Sequence, residues 1–179
     1  MYAYDKLFGE YNHSVAQILL TREDIVPGKR RGNAANTFQR LLEFGIVPIV
    51  NENDTVSTEE IEIGDNDTLS AVVATLIGAD ALVLLSDIDG LYTADPHRDP
   101  NARLIARVDA ITPEIEALAG GKGSALGTGG MATKLSAAKL AIASGTDMVI
   151  ANGQRPELLY DIAAGKPVGT RFIAKERII

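Results

Sequence analysis

Three polar clusters lie where apolar runs end. Asn51-Glu52-Asn53-Asp54 follows the run IVPIV. Ser86-Asp87 follows ALVLL, and Asp65-Asn66-Asp67 stands at the start of an Ala/Val/Leu-rich stretch. Any one of them alone reads as a turn or a helix cap, because short amides, hydroxyls and carboxylates bond neighbouring backbone N–H groups. Together they read as one site, since open α/β sheets bind ligands beyond the carboxyl ends of their strands. A fourth segment points to an anion. Residues 120–130 hold six glycines in eleven positions and run directly into Met131-Ala132-Thr133-Lys134. Glycines let backbone amides face an anion without a Cβ in the way, and a helix N-terminus adds positive charge. Lys134, one turn into the predicted helix, supplies a point charge suited to a transferring phosphoryl group.

Several other chemistries fail on spacing. Residues 127–132 match G-x-G-x-x-A, but a predicted helix and loop precede them where a dinucleotide site needs a strand. The Walker A order is absent, because Lys134 follows Thr133 and not a glycine. Asp65-Asn66-Asp67 lacks the glycine and closing glutamate of a calcium loop. With no cysteine and two histidines, His/Cys metal centres and thiol nucleophiles are excluded, and no metal ligand is assigned. His13 and His97 read as structural or surface residues, and Lys29-Arg30-Arg31 as a solvated loop. The remaining set of carboxylates, amides, a glycine loop and a lysine suits phosphoryl transfer, where positioning and charge neutralisation do most of the catalysis.

The elements that must position these groups alternate in type. Strands are expected at residues 15–20, 46–50, 81–85, 104–108, 147–151 and 168–173, and helices at 33–44, 67–77, 112–118, 131–144 and 157–164. Pro48 removes a ladder donor and places its strand at an end or edge. Thr112 and Pro113 form a cap and first-turn pair. Strand–helix–strand repetition with near-continuous apolar strands predicts an α/β fold with a mostly parallel sheet sandwiched between helices. Residues 2–11 read as the tail of a helix with no cap before it. No linker divides the chain, so residues 1–179 are expected to form a single domain.

Composition narrows the partners. The chain has 17 Lys+Arg against 24 Asp+Glu, a net charge of −7, with 46% hydrophobic residues. Neither disorder nor nucleic-acid binding is expected from this balance. No apolar run approaches a membrane span, the N-terminus carries no signal-peptide pattern, and the lack of cysteine fits a reducing cytoplasm.

The strings NENDTVS (51–57), IGDNDTLSA (63–71), SDIDGLYTADP (86–96) and GTGGMATK (127–134), in that order, resemble the glutamate 5-kinase branch of the amino acid kinase family. The resemblance covers residues 4–172. The NEND and GDND strings point to glutamate, while the other two recur across related kinases. It implies ATP-dependent phosphorylation of the L-glutamate γ-carboxylate, the first step of proline biosynthesis, with Mg2+ held mainly through the ATP phosphates. It implies that Asp54, Asn66 and Asn51 bind glutamate, Asp54 facing the α-ammonium. Ser86, Asp87 and the run Thr128, Gly129, Gly130, Met131, Ala132, Thr133 and Lys134 would bind ATP. Lys134 would stabilise the transferring group, with Asp67 orienting lysine and Asp65 assisting. Proline as a feedback inhibitor and a homo-oligomer are further implications.

Two departures accompany the match. The family's first strand, with its second phosphate-binding lysine, and the following Ser-Gly-Ala loop are absent, so the fold is expected to be N-terminally incomplete by roughly 80 residues. Nor does the chain reach a C-terminal PUA domain. A bared apolar edge, poor solubility or oligomerisation, and little kinase activity are the expected consequences. The alternative readings are a related kinase with another small substrate, and a non-catalytic nucleotide- or amino-acid-binding protein.

Overall fold

The computed structural model describes residues 1–55, 65–119 and 130–174. It divides into two compact units, Met1–Leu69 and Ser70–Ile179.

In the first unit, helix α1 (Tyr2–Gly9) leads into strand β1 (Val15–Leu20), short helix α2 (Arg22–Ile25), helix α3 (Lys29–Glu43) and strand β2 (Val47–Glu52). β1 and β2 are parallel, with Val15 opposite Val47 and Leu20 opposite Glu52. Phe38, 1% exposed, anchors α3. Gly45, at φ +68°, ends the helix in a left-handed turn that a side chain would strain. β2 runs two residues beyond the expected strand, so Asn51 and Glu52 lie on it.

Lys29-Arg30-Arg31 is not a loop, as the sequence suggested, but the first turn of α3. Basic residues oppose the dipole at a helix N-terminus. Here α2 compensates, because Arg30 pairs with Glu23 at 2.7 Å and with Asp24 at 2.8 Å. The spacing Thr21-x-x-Asp24 was the signal for α2, and it forms a capping box. The Thr21 N–H donates to Asp24 Oδ2 at 2.8 Å and its hydroxyl donates to the same oxygen at 2.7 Å.

Burial pushes the Asp24 carboxyl up, but the Thr21 bonds and the Arg30 guanidinium outweigh it and hold the carboxyl below its ordinary value. A carboxyl depressed in the folded chain binds its proton more tightly when unfolded, so its stabilisation is present at neutral pH and lost under acid. Asp24→Ala should therefore lower the urea midpoint at pH 7, with the gap to wild type closing as pH falls below about 4. A gap constant with pH would contradict this.

The second unit holds strand β3 (Ala81–Ser86), strand β4 (Arg107–Val108), helix α5 (Pro113–Ala119), helix α6 (Met131–Ala143), strand β5 (Asp147–Asn152), helix α7 (Leu158–Ala163) and strand β6 (Thr170–Phe172). Helix α4 (Asn66–Ile77) begins in the first unit and continues into this one. The strand order is β3-β5-β6-β4. β3 with β5 and β4 with β6 are parallel, and β5 with β6 is antiparallel. The chain is thus α/β with mostly parallel pairings and helices against the strands. β5 is the buried centre, with Met148, Val149, Ile150 and Ala151 at 0–1% exposure. Leu84, Leu91, Val108, Leu135 and Phe172 join the main core around Met148 and Ile150.

The expected strand at 104–108 is shorter than predicted. Leu104 makes only an isolated bridge to Tyr92. Among the described residues no helix is long and apolar enough to cross a membrane.

Candidate functional site

The carboxyl edge of the second unit collects one group of the expected residues. β3 and β5 end level, with Ser86 opposite Asn152. The Ser86 hydroxyl donates to Asp87 Oδ1 at 3.0 Å, and the Gly153 N–H donates to the Ser86 carbonyl at 2.7 Å. Asp87 is exposed beyond the strand end. α6 packs on β5 and returns into it through a tight turn in which the Thr146 N–H donates to the Ala141 carbonyl. A 13-residue helix and a 6-residue strand are each about 20 Å long. The first turn of α6 therefore comes back level with Ser86 and Asn152.

That first turn carries Gly130, Met131, Ala132, Thr133 and Lys134. Gly130 is the N-cap, and the Thr133 hydroxyl donates back to its carbonyl at 2.8 Å. The Thr133 and Lys134 N–H groups donate to the Gly130 carbonyl, at 3.1 and 3.4 Å, and the helix dipole favours an anion at this end. Lys134 is 9% exposed and shares the inward face with Leu135, Ala137, Ala138 and Ala141. A lysine so placed buries its stem in apolar packing, which restricts where its ammonium can reach. Thr128 and Gly129 lie outside the described residues.

The other expected residues belong to the first unit. Asn51 is exposed on β2 opposite Leu19, and Asp54 is exposed just after the strand. The Asn53 N–H donates to the Leu20 carbonyl at 2.8 Å, and Asn53 Oδ1 accepts from Thr55 at 2.7 Å. Asn53 thus fixes the end of β2 and leaves Asp54 the outward carboxylate. Asn66, first residue of α4, is exposed, and Asp67 is half-buried with a polar partner.

Asp65 caps α4. Its Oδ1 accepts the Thr68 N–H at 2.7 Å and its Oδ2 accepts the Thr68 hydroxyl at 2.8 Å. Both oxygens are engaged in holding the helix start that presents Asn66 and Asp67. Asp65→Ala should cost about 1 kcal/mol of stability while Asp65→Asn costs only a few tenths, as for other N-caps. Equal urea midpoints for the two variants would contradict the capping role.

A cavity of about 370 Å³ beside β1 and α3 contains Asp24, Arg30, Asn33 and Thr37. It holds none of the residues expected from the sequence, and its guanidinium is already matched by two carboxylates.

Two residues were missed at the edge of the second unit. Asp89 and Asn152 are 63 positions apart and meet there, with Asn152 Nδ2 donating to Asp89 Oδ1 at 2.8 Å. No local spacing links them, and only the pairing of β3 with β5 does. The expectation that His13 and His97 are structural or surface residues fits their exposure.

Comparison with known proteins follows the same lines. The sequence profile of the amino acid kinase family matches residues 1–152. The glutamate 5-kinase of Clostridium perfringens is 54% identical over 180 aligned positions, covering 98% of this chain and 67% of that protein. The glutamate 5-kinase of Carboxydothermus hydrogenoformans is 56% identical, covering 99% of this chain and 47% of its own length. The chain thus spans about two thirds of the length of the first relative and under half of the second. Among solved structures, carbamate kinase from Giardia lamblia bound to AMP-PNP superposes with a TM-score of 0.67 at 18% identity, covering 97% of this chain and 67% of that one. Isopentenyl phosphate kinase of T. acidophilum gives 0.63 at 20% identity, covering 93% and 63%. At these identities the structures speak for the fold.

Proposed function

Because the chain belongs to the amino acid kinase family, we propose that it carries the phosphoryl-transfer machinery for making γ-glutamyl phosphate from L-glutamate and Mg-ATP. The observation that carries this reading is the buried Lys134 in the first turn of α6, a helix packed on β5, the strand that pairs with the one ending at Ser86. An anion-favouring helix start, a lysine and a strand-end hydroxyl–carboxylate pair match a nucleotide triphosphate. The likeness to glutamate 5-kinases supplies the acceptor.

The chemistry divides among the residues by type. The amides of Gly130, Met131 and Ala132 face the phosphates, with Thr128 and Gly129 before them and Thr133 completing the run. Ser86 and Asp87 bind the nucleotide. Lys134 meets the charge that spreads over the transferring phosphoryl oxygens in an in-line displacement. Asp54 holds the substrate α-ammonium, and Asn51 and Asn66 hold its carboxylates. The resemblance assigns Asp67 to orienting the lysine, and Asp65 keeps that helix start in place. The donors at α6 are amides and an ammonium, which suit phosphate oxygens and not a cation. Among the described residues no trio of His, Cys, Asp or Glu could hold a metal. As the family resemblance implies, Mg2+ would be held mainly by the ATP phosphate oxygens and would supply charge neutralisation there.

Proline as a competing ligand at the glutamate subsite, a homo-oligomeric state, a single domain over residues 1–179 and a cytoplasmic setting complete the reading. The test is glutamate-dependent ADP release from Mg-ATP, with uridylate and N-acetylglutamate as controls. ADP release with glutamate alone supports the assignment. Release with a control substrate instead moves the chain to another acceptor, and binding of ATP without turnover marks a nucleotide-binding protein.

A further inference from the structure

The stretch from Ser86 to Leu91 is tied to neighbouring strands at three points. The Ser86 carbonyl accepts the Gly153 N–H at 2.7 Å. Asp89 Oδ1 accepts Asn152 Nδ2 at 2.8 Å, and Asp89 Oδ2 accepts the Tyr92 hydroxyl at 3.1 Å. The Leu91 N–H donates to Thr170 Oγ1 at 2.8 Å, and that hydroxyl donates on to the Ile105 carbonyl at 2.7 Å. Gly90 is pressed so closely on β6 that a Cβ there would overlap Thr170 Oγ1 and stand 2.9 Å from the Thr170 nitrogen. Asn152 is used twice, since its Oδ1 also accepts the Gln154 N–H at 2.9 Å. One carboxylate thus joins the loop after β3 to the turn after β5, at the edge where Asp87 is exposed.

We propose that Asp89 is a positioning residue that locks the loop bearing Ser86 and Asp87 to the turn at Asn152, so that this edge receives the nucleotide already ordered. The inference rests on the kinase reading for the identity of the ligand, but not for the lock itself. Preorganised groups bind without first losing conformational freedom, and a charge-assisted hydrogen bond is the stronger kind available for holding them. The pairing is also directional. Asn152 presents its amide nitrogen to Asp89 because its oxygen is taken by the Gln154 N–H. Exchanging the two residue types therefore preserves every bond. An amide placed at position 89 would donate to a carboxylate placed at position 152 and still accept from Tyr92. Tyr92 reports on the lock. Burial, the bond to Asp89 and the charge of Asp89 all raise its phenol above the ordinary tyrosine value.

The test uses the full chain and reads amide hydrogen exchange at Gly153 and ATP affinity by calorimetry. Asn152→Asp sets two carboxylates against each other. It should speed Gly153 exchange and weaken ATP binding about tenfold, as expected for losing a bond to a charged group. Adding Asp89→Asn should return both to within about threefold of wild type, a rescue that general destabilisation would not produce. Unchanged exchange in Asn152→Asp, or failure of the second substitution to restore it, overturns the lock. Altered exchange with unaltered ATP affinity overturns its positioning role. If wild type binds no ATP, the kinase reading falls, while exchange alone still decides the lock. Asp89→Asn by itself offers an independent reading, because the Tyr92 phenol, isolated by difference from Tyr92→Phe, should titrate at lower pH. An unmoved titration counts against the contact.

Discussion

Lys134→Met is expected to abolish phosphoryl transfer while leaving the fold in place, with kcat falling about 1,000-fold or more, the scale for removing a group that meets transition-state charge. The substitution is chosen for the lysine's setting. Lys134 is 9% exposed, on the face of α6 that also buries Leu135, Ala137, Ala138 and Ala141. Alanine would leave a void there, whereas methionine keeps an unbranched stem of similar length. Arginine is no safe substitute, since its planar guanidinium fork differs from a compact ammonium in shape and hydrogen-bond geometry. Lys134 also has a polar partner, so its loss should cost some stability, about 1 kcal/mol. The measurements are glutamate-dependent ADP release and the urea midpoint on the same preparation. Turnover near wild type would remove Lys134 from the reaction. A collapsed midpoint would make its role structural.

The largest effect on stability is expected from Gly169→Ala. Gly169 sits at φ +64°, in the left-handed region that a Cβ disfavours. Steric room is lacking as well. The added Cβ would run into the Ile150 carbonyl oxygen, stand 3.0 Å from its carbon and 3.1 Å from the Asp89 oxygen. These are backbone atoms, and Ile150 is fully buried in the central strand, so they cannot swing aside. The next residue, Thr170, pairs with Ile150 across the antiparallel junction of β5 and β6. Relief of the overlap must push β6 away from β5, which exposes Phe172 and breaks the Thr170 bonds to Leu91 and Ile105. A loss of about 3 kcal/mol or more in urea unfolding is expected. A change under about 1 kcal/mol would mean that the junction yields more easily than close packing allows.

Gly169 also shows what local reading misses. The sequence places Gly169 inside a strand over 168–173, whereas the strand that forms begins only at Thr170. Which neighbour that strand meets, and in which direction, depends on Ile150, nineteen positions earlier. β3 and β5 were legible because ALVLL and the run after Asp147 are continuously apolar; β5 is buried along its length, whereas β3 ends the strand order and leaves Leu85 exposed. Helix α5 was legible from Thr112 and Pro113, and α3 from Phe38, Leu41 and the stop at Gly45. The start of α3 was not, because three basic residues look like a loop until Glu23 and Asp24 are brought alongside.

For the site, the residue types and their order along the chain, from Asn51 through Lys134, already indicated phosphoryl chemistry, and the four strings carried the family resemblance. Those signals are local, a matter of side-chain chemistry and short spacing. The cap of Asp65 on Thr68, three positions on, is equally local. Only the tertiary structure decided that Lys134 is drawn into the packing of α6 and that Asp89 closes onto Asn152. Each of those outcomes depends on pairings whose free energy comes from burial and strand registry summed over distant segments. A short window of sequence contains one partner of such a pair and not the other.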